Sequence, residues 1–186
     1  MSQIACAERR IYMRNILVVV DMQKDFINGA LGSDDAQAIL PNVKSKISGF
    51  DGEIIFTRDT HEQNYLQTRE GIYLPVMHCI RNTEGWQIDP SLISLREARI
   101  MDKPTFGSWT LAETLSDEHK TSPISSITLI GLCTDICVIS NAMLLKAALP
   151  EVDLIVDASC CAGVTLESHR TALRAMKACQ ICIENE

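Results

Sequence analysis

Short runs rich in isoleucine and valine alternate along this chain with longer segments of helical periodicity, and this alternation is its most restrictive feature. The runs have the length and β-branched composition of strands that are buried on both faces of a parallel sheet. They are residues 15–20 (NILVVV), 53–57 (EIIFT), 126–131 (SITLIG) and 152–156 (VDLIV), with weaker candidates at 98–103 (ARIMDK) and 180–184 (QICIE). Apolar residues at helical spacing occupy residues 35–48, 108–119, 135–148 and 165–178. The alternation predicts an α/β fold: a three-layer open sheet, mostly parallel, with helices on both faces.

Length and composition exclude several classes of protein. The chain of 186 residues has the size of one domain. Met13 stands just before the first strand, which suggests an N-terminal extension at residues 1–12 and a single domain at 13–186. No apolar run approaches the roughly 20 residues that span a membrane. A net charge of −7 without a dense basic stripe argues against nucleic-acid binding, so chemistry on a small molecule is the default expectation.

The first apolar run and the cysteines indicate a cytoplasmic protein with reduced thiols. The run ends in Asp21 without a small-residue cleavage site, which argues against a secretion signal. Thiols stay reduced in the cytosol, and no pair among the eight cysteines has the repeated C-x-x-C spacing of a structural zinc site. Seven of them have the context of small, buried hydrophobic residues: Cys6, Cys79, Cys133, Cys160, Cys161, Cys179 and Cys182.

Reactive side chains follow the predicted strands at their carboxyl ends, where open α/β sheets bind ligands. The four loops are DMQKDF after the first strand, TRDTH after the second, DKPTFGSW after the third and GLCTDIC after the fourth. The segment 60–98 lacks clean periodicity and is long for a plain connection, which is typical of a functional loop.

Cys137 lies just inside a predicted helix that follows a buried strand, where the helix dipole is expected to lower the pKa of a thiol. Asp21 emerges at the same edge and could accept the thiol proton. Lys103 ends a third strand there, and Cys133 lies on the turn whose N–H groups could hold an oxyanion. Each residue also has an ordinary explanation: a packed cysteine, a turn-capping aspartate and a solvated lysine.

Asp59, His61 and His78 form a candidate metal site. Asp59 and His61 leave the same side of an extended segment, and His78 follows in the long loop. Two histidines and one carboxylate suit a divalent ion such as zinc, iron or manganese. The alternative is that both histidines are ordinary surface or packing residues. His119 and His169, which lie on predicted helices with charged neighbours, are assigned to solvent.

The sequence resembles the isochorismatase-like cysteine hydrolases, and especially their nicotinamidase/pyrazinamidase branch, over residues 14–183. The resemblance rests on five strings in order: VVVDMQKDF, FTRDTH, LPVMHCIRNTEGWQI, DKPTFGSW and GLCTDICV. It implies that Cys137 is the nucleophile, Asp21 the general base and Lys103 the cation that assists the thiolate. It also implies a cis peptide at Leu132–Cys133 and an oxyanion hole made of the N–H groups of Cys133 and Cys137.

The resemblance also assigns a metal and a substrate pocket. It implies that Asp59, His61 and His78 hold one divalent ion, with zinc expected and iron or manganese possible, against the pyridine nitrogen of the substrate. A fourth protein ligand is expected at Glu70, with Gln67 as the alternative. It further implies that Phe26 and Phe106 line the ring pocket, with help from Trp86 or Trp109. Two residues beside the metal site depart from the family pattern: Thr60 stands where many nicotinamidases have an aromatic residue, and Asn82 where glycine is frequent.

The function expected from these residues and the resemblance is hydrolysis of nicotinamide to nicotinate and ammonia through a cysteine thioester. One alternative is an amidase of the same fold that acts on another small carboxamide or carbamoyl compound. An alternative of another class is a non-catalytic metal-binding or redox protein. Relatives commonly self-associate, so a homo-oligomer is expected.

Overall fold

Six strands form one sheet in the computed structural model, which describes residues 13–186. In spatial order they run β3-β2-β1-β4-β5-β6, and every pair of neighbours is parallel. Their bounds are β1 Arg14–Val20, β2 Glu53–Asp59, β3 Arg99–Lys103, β4 Ile124–Leu132, β5 Asp153–Ala162 and β6 Cys182–Glu184. All six predicted strands are therefore confirmed, and the sheet in the described part of the chain is entirely parallel.

The helices also follow the predicted segments, with one break. They are α1 Lys24–Ile27, α2 Asp34–Ala38, α3 Leu40–Gly49, α4 Arg69–Tyr73, α5 Pro90–Ile93, α6 Trp109–Thr121, α7 Ile139–Ala148 and α8 Leu166–Ala178. A 3₁₀ turn covers Tyr65–Gln67, and a π-helical turn at Thr134–Val138 leads into α7. The predicted helix 35–48 is divided between α2 and α3 because Pro41, in the first turn of α3, cannot donate the backbone bond of a continuous helix.

Each face of the sheet is covered by its own set of helices. Ile16, Val18 and Val20 of β1 pack with α6, α7 and α8, and the alternate residues Leu17 and Val19 pack with α2, α3 and α5. This alternation produces two separate apolar cores, as a parallel sheet with helices on both faces requires. The three-layer prediction is confirmed.

The cysteines are less uniform than predicted. All seven in the described residues are free thiols. Cys160 and Cys161 are buried in the two opposite cores, because successive side chains of β5 point to opposite faces. Cys179 and Cys182 are exposed, so their prediction as buried residues was wrong: they lie at the end of α8 and on the edge strand β6, where little packs over them.

The predicted extension at residues 1–12 lies outside the described residues. Within residues 13–186, no helix has both the length and the hydrophobicity that a membrane crossing would need.

Candidate active site

The carboxyl ends of four strands bring the predicted reactive residues to one edge of the sheet. Asp21 follows β1 directly, Asp59 ends β2 and Lys103 ends β3. Cys137 lies in the π-helical turn that follows β4. Because β1 is flanked by β2 and β4, these ends are neighbours in space although their residues are far apart in sequence.

The last residues of β4 are tightly packed against β1. Gly131 pairs with Val20 and has a φ of +116°, and an added Cβ would collide with the Val20 carbonyl oxygen. Glycine is therefore required at this position. The next peptide but one, Leu132–Cys133, is cis, as the resemblance implied.

Lys103 is the buried centre of the site, with only 1% of its surface exposed. Its Nζ lies 2.6 Å from Asp21 Oδ2, 3.3 Å from Asp59 Oδ1 and 3.6 Å from Cys137 Sγ. It also donates to the Thr105 carbonyl oxygen at 3.1 Å. Burial alone would lower the pKa of Lys103, but the negative charges of Asp21 and Asp59 raise it, as does Cys137 when it is a thiolate, so the ammonium is retained.

Asp21 is fully buried beside this ammonium. Its second oxygen accepts a hydrogen bond from Thr57 Oγ1 at 2.6 Å, a contact that the sequence analysis did not predict. Burial raises the pKa of Asp21, the Lys103 charge opposes this, and the Asp59 charge raises it further. A carboxylate whose pKa is raised is a better proton acceptor, which suits a general base.

Cys137 is buried, and the pKa of its thiol is raised where the sequence analysis predicted that it is lowered. Burial and the negative charge of Asp21 raise the pKa of the thiol well above its ordinary value, although Lys103 opposes them. The predicted lowering of this pKa was wrong, because the prediction left out the burial of the thiol and the charge of Asp21 beside it. The thiol therefore keeps its proton at rest and needs a base. We call Asp21, Lys103 and Cys137 the nucleophile half.

Four potential ligand atoms cluster beside this half. His61 Nε2 lies 2.9 Å from Asp59 Oδ2 and 3.5 Å from Glu70 Oε1. His78 Nε2 lies 3.7 Å from Asp59 Oδ2 and 3.8 Å from Glu70 Oε1. All four atoms are within 4.8 Å of one another. We call Asp59, His61, Glu70 and His78 the metal half.

The donor atoms fit a small divalent cation. His61 Nε2 is buried without a hydrogen-bond partner, despite its close approach to Asp59. His78 Nδ1 is 2.8 Å from the Val76 carbonyl oxygen, which leaves its Nε2 as the free donor atom. Tetrahedral zinc bonds of 2.0–2.2 Å place ligand atoms roughly 3.3–3.6 Å apart, within the spread seen here. Two nitrogens and two carboxylate oxygens suit zinc, and iron or manganese as well.

Glu70 therefore joins the three predicted ligands, whereas Gln67 is exposed on the 3₁₀ turn. Glu70 reaches the cluster from the first turn of α4, which Thr68 caps by accepting from the Gly71 N–H at 3.0 Å. The long segment 60–98 thus supplies three of the four ligands.

Cys137 of the nucleophile half and three residues of the metal half line one cavity of about 600 Å³. Its wall is mostly apolar and includes Phe26 and Phe106, as predicted, together with Leu31, Leu74, Leu132, Ile136 and Val164. Cys137, Asp59, Glu70 and His78 contribute the reactive and ligating groups. Trp86 and Trp109 are not in this wall: Trp86 is buried behind Thr60, and Trp109 is exposed at the start of α6.

The model of the isochorismatase domain matches residues 15–186. The chain belongs to the isochorismatase domain family. Solved structures agree with this assignment. The pyrazinamidase of Pyrococcus horikoshii in complex with zinc is 26% identical, with a TM-score of 0.76 over 93% of this chain and 99% of that one. A comparison with curated proteins found no match.

Two more distant structures share the fold of this isochorismatase-family chain. The nicotinamidase/pyrazinamidase of Bacillus subtilis is 24% identical, with a TM-score of 0.79 over 93% of this chain and 100% of that one. The N-carbamoylsarcosine amidase of Thermoplasma acidophilum is 20% identical, with a TM-score of 0.73 over 93% of this chain and 96% of that one. Proteins with this fold thus include more than one kind of amidase, so the fold alone does not identify the substrate.

The two departures noted in the sequence have structural explanations in this family member. Thr60 is buried; its hydroxyl accepts from Trp86 Nε1 at 2.8 Å and donates to the Arg58 carbonyl oxygen at 2.9 Å. Asn82 has a φ of +67°, in the left-handed region that glycine favours and asparagine tolerates. Neither side chain lines the cavity.

Two residues near the site, Thr57 and His169, and one at the opposite edge of the sheet, His119, were missed or misassigned. Thr57 could have been found, because it precedes Asp59 by two residues on β2 and so shares its face. His169 is half-buried and lies 2.8 Å from Thr134 Oγ1, in the turn that carries Cys137. His119 is half-buried as well and accepts the Ile124 N–H at 3.0 Å. Both histidines are tied to the backbone or side chains of neighbouring elements, so their assignment to solvent was wrong.

Proposed function

We propose that this protein is a cysteine amidohydrolase that converts nicotinamide to nicotinate and ammonia. The observation that carries the proposal is that Cys137 lines the same cavity as Asp59, Glu70 and His78 of the metal half. The first half has the groups for amide hydrolysis, and the second has the ligands for an ion that could bind a ring nitrogen. Phe26 and Phe106 provide apolar surfaces for an aromatic ring between them.

In the first stage, Cys137 Sγ attacks the carboxamide carbon while its proton passes to Asp21. The carbonyl oxygen becomes an oxyanion, for which the N–H groups of Cys133 and Cys137 are the proposed donors. Lys103, 3.6 Å from Cys137 Sγ, favours the negative charge on sulfur as the proton leaves. Asp21 then returns the proton to the leaving nitrogen, the C–N bond breaks, and ammonia and a thioester are formed.

In the second stage, water replaces ammonia beside the thioester. Asp21 takes a proton from the water as its oxygen attacks the same carbon. The C–S bond breaks, the carboxylic acid is released and the proton returns to Cys137. The raised pKa of Asp21 suits both directions of proton transfer, since the carboxyl must accept and release a proton in each cycle.

The metal half would orient the substrate. A divalent ion held by Asp59, His61, Glu70 and His78 would supply a coordination position for the pyridine nitrogen of nicotinamide. Asp59, Glu70, His78 and Cys137 belong to one cavity wall, so binding the ring at one side presents the carboxamide to the other. A catalytic arrangement of this kind gains most from fixed orientation of the reacting groups.

The test is ammonia release from nicotinamide by the purified protein, with the metal content measured in the same sample and Cys137→Ala as the control. Rapid release with about one equivalent of metal, abolished in the variant, would support both halves of the proposal. Metal without release would direct the search to other small amides and carbamoyl compounds, assayed as a panel. Release by Cys137→Ala at the full rate would disprove the mechanism.

A second measurement separates an enzyme from a redox protein. Iodoacetamide should alkylate Cys137, and nicotinamide should protect it, because both molecules occupy the cavity that Cys137 lines. A thiol that serves only as a redox sensor would be alkylated equally well in the presence of the amide.

A further inference from the structure

Gln23 is a fully buried amide beside the metal half. Its Nε2 donates to the Asp59 carbonyl oxygen at 2.8 Å and to the Trp86 carbonyl oxygen at 2.9 Å. Its Oε1 accepts the Asp59 N–H at 2.7 Å. Both backbone polar groups of a metal-half residue are therefore held by one side chain.

These bonds extend the sheet beyond the end of its backbone pairing. The regular register of β1 with β2 ends at Val19 and Phe56, three residues before Asp59. A side-chain amide offers the same donor and acceptor as a peptide group. Gln23 thus acts as one more rung of the ladder, at the residue whose carboxylate belongs to the ligand cluster. Its third bond ties the same point to the segment that follows His78.

Asn141 is the second fully buried amide, and it lies beside the nucleophile half. Its Nδ2 donates to the Cys137 carbonyl oxygen at 2.8 Å and to the Phe106 carbonyl oxygen at 3.2 Å. Its Oδ1 accepts the Ser108 N–H at 2.9 Å. Asn141 therefore joins the turn that carries Cys137 to the loop that follows Lys103.

We propose that Gln23 and Asn141 are positioning residues with separate duties: Gln23 sets the geometry of the metal half, and Asn141 sets that of the nucleophile half. The three hydrogen bonds of each amide all go to backbone groups of its own half or the loops next to it. No bond in either set reaches the other half. This inference rests on the site described under the proposed function, but its test requires no turnover.

The test uses variants that remove the amide and keep much of its shape, Gln23→Met and Asn141→Leu. One readout is the zinc dissociation constant, from competition with a chelator. The other is the rate of iodoacetamide alkylation at Cys137, followed on the peptide that contains it. Asn42→Leu is the control, because Asn42 also donates to a backbone carbonyl, at 2.9 Å, but does so at an exposed position outside the site.

We expect Gln23→Met to weaken zinc binding by about 10- to 100-fold, the usual effect of removing a residue that orients a metal ligand. Its alkylation rate should stay within about threefold of the parent protein. Asn141→Leu should slow alkylation by about tenfold, because the turn that carries the sulfur would no longer be tied to the loop that follows Lys103, and should leave zinc binding within about threefold. Asn42→Leu should change neither readout.

If the substitutions only loosened the packing, both variants would change both readouts. If both variants changed both readouts by similar factors, or if folded Gln23→Met bound zinc normally, the proposal would be overturned. Where Met or Leu prevents folding, Gln23→Glu and Asn141→Asp replace them, because each keeps the acceptor oxygen and loses the two donated bonds. In this second pair too, Gln23→Glu should change mainly zinc binding and Asn141→Asp mainly the alkylation rate. A protein that failed to hydrolyse nicotinamide would still give both readouts, so the two proposals fail independently.

Discussion

The nucleophile half and the metal half differ in how the chain builds them. Asp21 and Lys103 stand at the ends of strands, and Cys137 lies in the turn after a third strand, so the sheet fixes all three. In the metal half only Asp59 belongs to a strand, and the long segment after β2 supplies the other three potential ligands. One half thus depends on the sheet and the other on a loop that must fold back onto it.

The two halves meet at Lys103. Its ammonium contacts Asp21 and Asp59, one carboxylate from each half, and Cys137. A buried ammonium is stable only when it is paired with groups of opposite charge, and the two buried carboxylates need its positive charge in the same way. The comparison therefore predicts that changes within one half act on one property, whereas a change at Lys103 acts on both.

The largest effect is expected from removal of the nucleophile. Cys137→Ala should lower amidase turnover by roughly 10⁴-fold or more, because the proposed thioester forms on the sulfur that this change removes. The measurement is the steady-state rate with nicotinamide. Zinc content should stay at the parent level, since the sulfur is not among the clustered ligand atoms. Loss of zinc in this variant would contradict the separation of the halves.

Removal of the shared cation should have the next largest effect. Lys103→Met leaves Asp21 and Asp59 as buried carboxylates without their ammonium, which should lower the free energy of unfolding by about 3–5 kcal/mol. Urea denaturation measures this. Lys120→Met is the control, because the pair of Lys120 with Asp117 is exposed, and its midpoint should be unchanged. A stable Lys103→Met protein would show that one or both carboxylates take up a proton.

A change confined to the metal half should spare the thiol. Glu70→Gln removes the charge that lies 3.5 Å from His61 and 3.8 Å from His78, and should weaken zinc binding by about 10- to 100-fold. Chelator competition measures the affinity. Gln67→Ala, at an exposed position three residues earlier, should bind zinc normally. If the two variants bound zinc equally well, the cluster would need only three protein ligands.

The smallest effect is expected from a residue that contacts the turn carrying Cys137 without belonging to either half. His169→Ala removes the partner of Thr134 Oγ1 and should lower the free energy of unfolding by about 1 kcal/mol. Thermal and urea denaturation measure this, with Arg170→Ala as the exposed neighbouring control. A loss equal to that of Lys103→Met would mean that the turn after β4 depends on α8 more than on the sheet.

The sheet half of the site was the more predictable one. Apolar runs located the six strands, and the rule that ligands bind at their carboxyl ends selected Asp21, Lys103 and Cys137 as neighbours. The three metal ligands Asp59, His61 and His78 came from residue chemistry and from the family resemblance. Glu70 remained one of two candidates, because nothing in the spacing of a loop says which side chain turns inward.

Several features could be decided only by the tertiary structure. The pKa of Cys137 was predicted with the wrong sign, because local helix position was visible in the sequence whereas burial and the Asp21 charge were not. Gln23 and Asn141 gave no signal, since an amide has no periodicity of its own and its role depends on which backbone groups surround it. His169 likewise acquires its partner from another element.

The sequence by itself determined the succession of strands and helices along the chain, the presence of a core on each face of the sheet and the edge at which the reactive residues gather. These follow from hydrophobic periodicity and chain connectivity, which are local properties. The tertiary structure decided which side chains the long segment turns toward Asp59, how Lys103 is shared between the halves, and which protons the buried groups keep. Those outcomes depend on distances of a few ångströms and on desolvation, and both arise only when distant parts of the chain are packed together.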